Sequence, residues 1–367
     1  MKTIKTIDDL IRAAGQGSHA EKYGKDNYLE TKANENIDIT QNANWYSATG
    51  LQNDIKDLTP KYGSLLALLN EGFEGNSLAD TFDVPFNITD YFMQGRGDWT
   101  DEAKPAFDAQ QVTDSKSTIT QVNLKLEMNV TDNMLDGSTD RQLFEKIRNM
   151  LAKSYARTAE SMIINGDNDT AATGNVNSDD QAPATTFASS GGAQDHRIKI
   201  DHGIRETAIN GTSLTLDIGA FDSDDMQGVR QLIAERYMDR DEDLLYIFNP
   251  TTYLEAMTDD AFKLMVNNSR PALEGGKPGA WGVQIISNMA VPKTEADGKM
   301  SATAANNTLG QFLLCYKPAI RWGLGRDFAI EVERVAGYGF HLFASVKFGF
   351  VILDRANNCA LGRNMTV

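Results

Sequence analysis

A long amphipathic helix is the feature that most constrains how this chain can fold. In the stretch STDRQLFEKIRNMLAKSYARTAESMIING, apolar residues recur at steps of three and four, so one face is apolar throughout. Asp140 lies favourably in the first turn after a cap at Ser138 or Thr139, and Gly166 is placed to end the helix. The pattern predicts a helix over 139–165, about 40 Å long. Its apolar positions are Phe144, Ile147, Leu151, Tyr155, Ala159 and Met162.

Two extended runs precede this helix and predict a long β-hairpin. DTFDVPFNITDYFM (80–93) and STITQVNLKLEMNVT (117–131) both alternate apolar with polar residues or proline. The segment QGRGDWTDEAKPAF between them is polar and contains glycine. The tripeptide Arg96-Gly97-Asp98 should therefore lie near the hairpin tip.

The rest of the chain mixes helices and strands without strict βαβ alternation, which predicts an α+β fold. YGSLLALLNEGF (62–73) is typical of a short helix, and so are DSDDMQGVRQLIAERY and TTYLEAMTDDAFKLMV. IRETAINGTSLTLDI contains Asn210-Gly211 between apparent extended runs, the pattern of a type I′ hairpin. DLLYIFNP is a continuous apolar run, which indicates a strand buried on both faces.

Charge and length restrict the function classes. A chain of 367 residues exceeds what one core usually spans, so we expect two lobes or one lobe with long extensions. Acidic residues outnumber basic residues 51 to 35, for a net charge of −16. Such a surface repels phosphate backbones, which excludes a sequence-reading nucleic-acid binder.

Motifs of catalysis and metal binding are not found in the sequence. Cys315 and Cys359 show no metal-ligand spacing, so we expect two buried thiols in a reducing compartment. The four histidines form no HExxH pattern, GGKPGAWG lacks the Gly-Lys-Ser/Thr ending of a phosphate loop, and no Gly-x-Ser-x-Gly elbow occurs. We predict no enzyme, no catalytic residue, no cofactor and no metal site.

The N-terminal region is polar and has no apolar targeting segment. In MKTIKTIDDLIRAAG the acids Asp8 and Asp9 interrupt any apolar stretch, so it is not a signal peptide. No apolar run approaches the roughly 18 residues of a membrane span, so we expect no membrane partner and a cytoplasmic site of synthesis. Residues 1–58 cannot form their own core and are either disordered or an arm laid on other surfaces, and we favour the arm.

Taken in order, a polar arm, a long hairpin, a very long helix, an α+β lobe and closing strands resemble the major capsid proteins of tailed phages, which have the Hong Kong 97-type fold. The resemblance covers about residues 60 to 367. It is carried by VNLKLEMNVTDNMLDGSTDRQLFEKIRNMLAKSYARTAESMIINGD and LLYIFNPTTYLEAM, and by WGVQIISNMAVP and FHLFASVKFGFVILDRANNCAL. Each stretch is a loose match, but their joint order is specific.

The resemblance implies a division of the chain into named parts. These are an N-terminal arm (1–58), a short helical segment joining it to the core (59–81), an extended loop (82–120), the first part of a peripheral domain with the spine helix at about 139–165 (121–199), an axial domain (200–320) and the closing strands of the peripheral domain (321–367). The chain should accordingly be a structural protein that self-assembles into the pentamers and hexamers of an icosahedral head around double-stranded DNA.

The resemblance also implies partners and a location. We expect the virion capsid, assembled in the host bacterial cytoplasm with a portal protein, a decoration or cement protein, and packaged DNA held without sequence-specific contact. Only about 60 residues precede the first core-like helix, so we expect no cleaved scaffolding segment and a separate scaffolding protein. Some members form lysine–asparagine cross-links; Lys104, Lys116, Asn357 and Asn358 are available here, but no motif matches and we expect non-covalent interlocking.

The distal hairpin supplies the candidate contacts between subunits. Phe92, Arg96, Asp98, Trp99 and Phe107 lie in a polar segment with no local core, and such aromatics are typical interface anchors. We interpret the segment as lying on a neighbouring subunit; the alternative is a loop folded back on its own chain. Receptor adhesion through Arg96-Gly97-Asp98 is disfavoured, because short motifs recur by chance. Alternative functions are an encapsulin-like shell storing enzyme cargo and a soluble enzyme with an unrecognised site.

Overall fold

Two β-sheets organise the part of the chain that the computed structural model describes. The described residues are 64–69, 81–87, 114–131, 140–167, 176–177, 201–269, 278–301, 304–335 and 339–367. The strands are β1 (Thr81–Asn87), β2 (Asp114–Thr131), β3 (Thr215–Gly219), β4 (Leu244–Phe248), β5 (Gly279–Ala280), β6 (Val283–Ser287), β7 (Gly310–Tyr316), β8 (Ile320–Val335), β9 (Gly339–Ile352) and β10 (Cys359–Met365). The helices are α1 (Asp140–Asn165), α2 (Ile204–Ile209), α3 (Ser223–Arg230), α4 (Pro250–Ala256) and α5 (Asp260–Ser269). The predicted α+β class is confirmed.

The first sheet has the order β1-β2-β9-β8 and is antiparallel throughout. β2 pairs with β9 from Thr120↔Phe350 to Thr131↔Gly339. Along β2, the side chains from Val122 to Met128 at every second position pack against the core, while those between them are exposed. The alternation read from the sequence is therefore confirmed, because successive side chains of a strand point to opposite faces.

Helix α1 packs its predicted apolar face against this sheet and confirms the long helix. It has 26 residues, and the predicted side chains Ile147, Leu151, Tyr155, Ala159 and Met162 are all buried. The ring of Tyr155 meets Phe348 of β9 edge to face at 6.1 Å between centroids. Burial of one whole face over this length is what stabilises a helix of ordinary propensity.

Gly166 ends α1 at the predicted position, and close packing requires glycine there. Its N–H donates to Met162 O at 2.8 Å, and its own carbonyl accepts from Gly203 N–H at 2.7 Å. A Cβ at Gly166 would lie 2.6 Å from the carbonyl oxygen of Asp201. The returning chain therefore approaches the helix end so closely that a side chain has no room.

The second sheet has the order β3-β10-β7-β4-β6-β5 and is covered on both faces. Every residue of β4 is buried, as its apolar run predicted. Leu245 and Ile247 join the core that α1 and α2 cover, whereas Tyr246 and Phe248 join a second core under α3, α4 and α5. The run of β4 is apolar at every position because both faces of this central strand are shielded from water.

The two thiols are free and buried, as predicted, and they lie opposite each other. Cys359 of β10 is the register partner of Cys315 of β7. Burial raises the pKa of the Cys315 thiol to about 12. Both sulfurs therefore behave as small apolar groups rather than as nucleophiles.

The hairpin predicted at Asn210-Gly211 is wrong. Residues 204–209 form helix α2, in which residues 204–208 are buried, and Asn210 N–H donates to Glu206 O at 2.9 Å. β3, which follows, pairs in parallel with β10 instead of turning back on its predecessor. Close packing favours glycine at this position, because a Cβ at Gly211 would lie 2.6 Å from Leu214 Cδ1. Burial against α1 and β10 overrides the local turn signal.

Three further boundaries differ from the sequence predictions. Of the helix predicted over 62–73, the described residues 64–69 form a hydrogen-bonded turn. The helix predicted after Pro250 is divided into α4 and α5, because the Asp259 carboxylate accepts from Ala261 N–H at 2.7 Å and starts a new helix. Residues 359–365, which the resemblance includes in the closing strands of 321–367, lie inside the second sheet as β10, since the chain turns at 353–358.

A fully buried arginine joins the end of α1 to the second lobe. Arg205 donates from Nη1 to the side-chain oxygens of Asn165 at 2.8 Å and Asn177 at 3.0 Å. Its Nη2 donates to the carbonyl oxygens of Val176 at 3.2 Å and Gly298 at 2.9 Å. Burial lowers the pKa of Arg205 to about 9, and the nearby charge of Asp167 opposes that shift.

Replacing Arg205 should destabilise the fold strongly. We expect Arg205→Leu to lower the free energy of unfolding by about 3–5 kcal/mol, because buried acceptors and the Asp167 charge lose their partner. Urea unfolding followed by circular dichroism measures this loss. The matched control is Arg326→Leu, since Arg326 is exposed on β8, and it should cause no measurable change. Equal losses in the two variants would contradict the role given to Arg205.

Candidate assembly surfaces

The base of the predicted hairpin is formed by β1 and β2. The two strands pair antiparallel from Thr81↔Thr120 to Asn87↔Asp114, which confirms the pairing of the two extended runs. The 26 residues 88–113 connect them. The predicted contact residues Phe92, Arg96, Asp98, Trp99 and Phe107 all fall in this connection, outside the described residues. Their role at an interface stays a prediction.

β1 is an edge strand whose inner side chains hold the hairpin base to the body. Val84 and Phe86 pack with Ile119 of β2 and Val351 of β9 in a small separate core. Pro85 lies in the strand, and proline is tolerated there because an edge strand has one unpaired side. The connection 88–113 therefore starts from the strand at the edge of the first sheet.

An exposed ion pair fixes the outer face of the hairpin base. Lys116 Nζ donates to Asp83 Oδ2 at 2.6 Å, and Thr118 Oγ1 donates to Asp83 Oδ1 at 2.7 Å. The hydrogen bond from Lys116 is the main reason that the pKa of Asp83 is lowered. Within the described chain, Lys116 is thus engaged with a carboxylate.

The two asparagines weighed for cross-linking have partners of their own. Asn358 is fully buried and donates from Nδ2 to the carbonyl oxygen of Leu353. Asn357 Nδ2 donates to Asp354 Oδ1 at 3.1 Å. Both side chains stabilise the turn between β9 and β10, a role that sequence reasoning missed.

A buried carboxylate on α1 gathers three parts of the chain, and no sequence motif pointed to it. Glu160 Oε1 accepts from the backbone N–H groups of Leu65 at 2.5 Å and Leu66 at 3.2 Å. Glu160 Oε2 accepts from Asn288 Nδ2 at 2.7 Å. The carboxylate therefore fixes the turn at 64–69 and the end of β6 to the middle of the long helix.

Burial dominates the electrostatics of this carboxylate. It raises the pKa of Glu160 above the ordinary value of 4.5, and the hydrogen bonds from Asn288, Leu65 and Leu66 oppose the shift. Glu160 is 4% exposed, so the charged form has little water to stabilise it. In the sequence, the only indication of this buried carboxylate was an acidic residue beside the apolar face of the helix.

An open groove of about 710 Å³ runs along α1 beside this carboxylate. Met150, Lys153 and Arg157 contribute from the helix, while Ser64 and Met289 lie on the opposite side. Met150 is 57% exposed and Met289 is 72% exposed, so both sides of the groove present apolar surface to solvent. The groove is therefore an open surface of mixed apolar and basic character. Its other lining residues are Ser154, Thr158, Glu160, Ser161, Ser287, Asn288 and Ala290.

A second apolar surface lies on the opposite lobe. Leu254 of α4 is 67% exposed and Leu264 of α5 is 61% exposed, while Phe262 and Val266 of α5 are buried in the core. The outer sides of these short helices thus present leucines to solvent. Exposed apolar side chains of this size are common at contacts between proteins, although single ones also occur on free surfaces.

The described residues offer no metal centre and no membrane span. Within them, no group of three or more histidine, cysteine, aspartate or glutamate residues is arranged to hold a metal ion. None of the described helices combines the length and apolar character required to cross a membrane.

Comparisons with solved structures found similarity to proteins of phage and GTA particles. Solved structures that resemble this chain include the capsid of an empty GTA particle (15% identical, TM-score 0.47, covering 83% of this chain and 90% of that one). Others are from Mycobacterium phage Ogopogo (12% identical, TM-score 0.49, 82% and 92%) and the satellite phage P4 procapsid including size determination (Sid) protein (13% identical, TM-score 0.48, 85% and 98%). No protein-family model matches the chain, and no curated protein matches it significantly. These TM-scores are below 0.5, so the similarity by itself carries no conclusion about function.

Replacing Glu160 should give a pH-dependent loss of stability. We expect Glu160→Gln to lower the free energy of unfolding by about 1–3 kcal/mol at pH 7, because one amide hydrogen-bond donor would face Asn288 Nδ2. A raised folded-state pKa makes the native state bind the proton more tightly. The wild type therefore loses stability as pH rises from 4.5 through the raised pKa, and the variant does not.

Urea unfolding of both proteins between pH 4 and pH 7 measures this difference. The gap between wild type and Glu160→Gln should be larger at pH 4 than at pH 7. Glu331→Gln, at an exposed position of β8, is the matched control and should show neither effect. A gap that widens with pH would mean that the hydrogen bonds outweigh burial.

Proposed function

We propose that this chain is the major capsid protein of a tailed phage with the Hong Kong 97-type fold. Its copies assemble into the pentamers and hexamers of an icosahedral head that encloses double-stranded DNA. One observation carries the proposal. The hairpin β1–β2 forms the edge of a long antiparallel sheet, and the 26-residue helix α1 packs against one face of that sheet. This arrangement has the element order that the sequence resemblance implies.

The hairpin supports the proposal because its distal part needs a surface to lie on. Isolated two-stranded hairpins are only marginally stable in water. The connection 88–113 carries Phe92, Trp99 and Phe107 among polar residues, and aromatic side chains anchor interfaces when a partner covers them. A neighbouring subunit supplies that cover in the proposed shell.

The two sheets suggest how the chain is divided. The first sheet, with α1, forms the peripheral domain, and the hairpin over 82–120 is the extended loop. The second sheet, with α3, α4 and α5, forms the axial domain around the five-fold and six-fold positions. β10 belongs to the axial domain in this division, and residues 1–58 form the N-terminal arm.

The net charge of the chain supports a shell that encloses DNA rather than a protein that recognises a DNA sequence. With a net charge of −16, an inner wall repels the genome weakly and lets it slide during packaging and ejection. A basic inner wall would trap the genome. The further partners in this proposal are a separate scaffolding protein, a portal protein and a decoration protein. Assembly takes place in the host cytoplasm, and the subunits interlock without covalent cross-links.

Electron microscopy of the purified assemblies tests the proposal directly. We expect icosahedral shells of tens of nanometres that contain DNA or carry portals and tails. Shells that hold protein cargo instead would indicate an encapsulin-like compartment. Discrete dimers or tetramers under every condition would contradict the shell and direct the search to an enzyme site.

A substitution in the extended loop should separate assembly from folding. We expect Trp99→Ala to reduce the yield of shells at least about tenfold while leaving circular dichroism and urea unfolding unchanged, because its side chain contributes to contacts between subunits. Shell yield is measured by sedimentation and microscopy.

The matched control is Trp322→Phe inside the first lobe. The indole N–H of Trp322 donates to Leu69 O at 3.3 Å, and its ring stacks on Phe348. This variant should lower the stability of the subunit itself. Loss of subunit stability in Trp99→Ala would instead place that side chain in the core of its own chain.

A further inference from the structure

Two cysteines face each other in the middle of the second sheet. Cys315 of β7 and Cys359 of β10 are register partners in an antiparallel pair of strands. Both side chains are fully buried, and both belong to the core that α1 and α2 cover. The two thiols therefore lie directly opposite each other on the same face of the sheet.

The hydrogen-bond pattern of the two strands brings these side chains close together. Tyr316 N–H donates to Asn358 O at 3.0 Å, so the residue pair next to the cysteines is hydrogen-bonded. Because such pairs alternate along an antiparallel ladder, Cys315 and Cys359 form a non-hydrogen-bonded pair. The Cα atoms of a non-hydrogen-bonded pair are about 4.5 Å apart, and its side chains approach more closely. A disulfide spans about 4.4 to 6.8 Å between Cα atoms, so the strands as they stand meet its geometric requirement.

The surroundings keep both thiols reduced while the sheet is closed. Burial raises the pKa of both groups, and the neighbouring Cys315 raises the pKa of Cys359 further. The Cys315 thiol also donates a weak hydrogen bond to Leu245 O at 3.8 Å, which favours the protonated form. Because the thiolate is the reactive form, oxidation requires a local opening of the strands and should be slow.

The pair lies where the chain passes between the two sheets. We call residues 315–320 and 352–359 the neck. β7 ends one residue after Cys315 and leads through Lys317–Ala319 into β8. β10 begins at Cys359, after the turn that follows β9. A bond between the two sulfurs would close a covalent ring that contains β8 and β9 whole, so it would hold both crossings together.

We propose that Cys315 and Cys359 are a modification site, at which hydrogen peroxide forms a disulfide that staples the neck. The thiolate of one cysteine attacks the peroxide, which gives a sulfenic acid and one water. The second thiol then attacks the sulfenic sulfur, and the disulfide forms with release of a second water. The two thiols thus lose two electrons, and one peroxide is reduced to two waters. The site lies within a single chain, so it extends beyond the proposed shell function and does not depend on it.

Oxidation of the purified full-length chain with hydrogen peroxide tests the site. Over hours, both thiols that titrate after unfolding should disappear, and a peptide map made without reductant should show Cys315 linked to Cys359. The oxidised protein should have a urea midpoint about 1 M higher than the reduced protein, because the closed ring lowers the entropy of the unfolded chain. Reducing the unfolded protein with dithiothreitol before refolding should remove this gain.

The matched control is Cys359→Ala, because it keeps every methionine that peroxide also oxidises. Compared with its own reduced state, this variant should show no rise in the urea midpoint after oxidation, whatever the substitution itself costs in stability. Sulfinic acid at either cysteine without the linked peptide, or a covalent dimer in its place, would contradict the site. A linked peptide with an unchanged or lowered midpoint would indicate a strained bond and would overturn the staple.

Discussion

Burial of one face of α1 against the first sheet is the constraint on which the rest of the structure depends. The helix supplies buried side chains along its length from Ile147 to Met162, and the sheet supplies every second side chain of β9. Neither surface could exist alone, because a long helix of ordinary propensity and a long sheet both need apolar cover. The second lobe shares this core through Leu245 and Ile247 of β4.

Two buried polar contacts make that packing specific. Apolar burial alone would allow α1 to slide or rotate on the sheet, since it has no direction. Glu160 fixes the middle of the helix to the turn at 64–69 and to Asn288. Arg205 fixes its end to the loops at 176–177 and 298. Burying either charged group is costly, and the hydrogen bonds to these partners offset that cost.

The sequence predicts what depends on periodic patterns and misses what depends on distant partners. The long helix, the paired runs β1 and β2 and the buried strand β4 could be predicted, because one period repeats over many residues. The hairpin prediction at Asn210-Gly211 was wrong, because a two-residue turn signal contributes less than the burial that stabilises α2. Glu160 and Arg205 carry no local signature, because their partners lie up to 128 residues away. The hairpin base was predictable, whereas its proposed contact with a neighbour stays a prediction.

The two sheets are joined by short links between their strands, and this has a mechanical consequence. β7 passes into β8 across the three residues Lys317–Ala319, and β9 passes into β10 across a short turn in which Asn358 is buried. Tension applied to one sheet along its strands is therefore carried into the other by covalent backbone as well as by the side chains of the shared core. In the proposed shell, a load on one sheet would therefore reach the other partly through these two crossings.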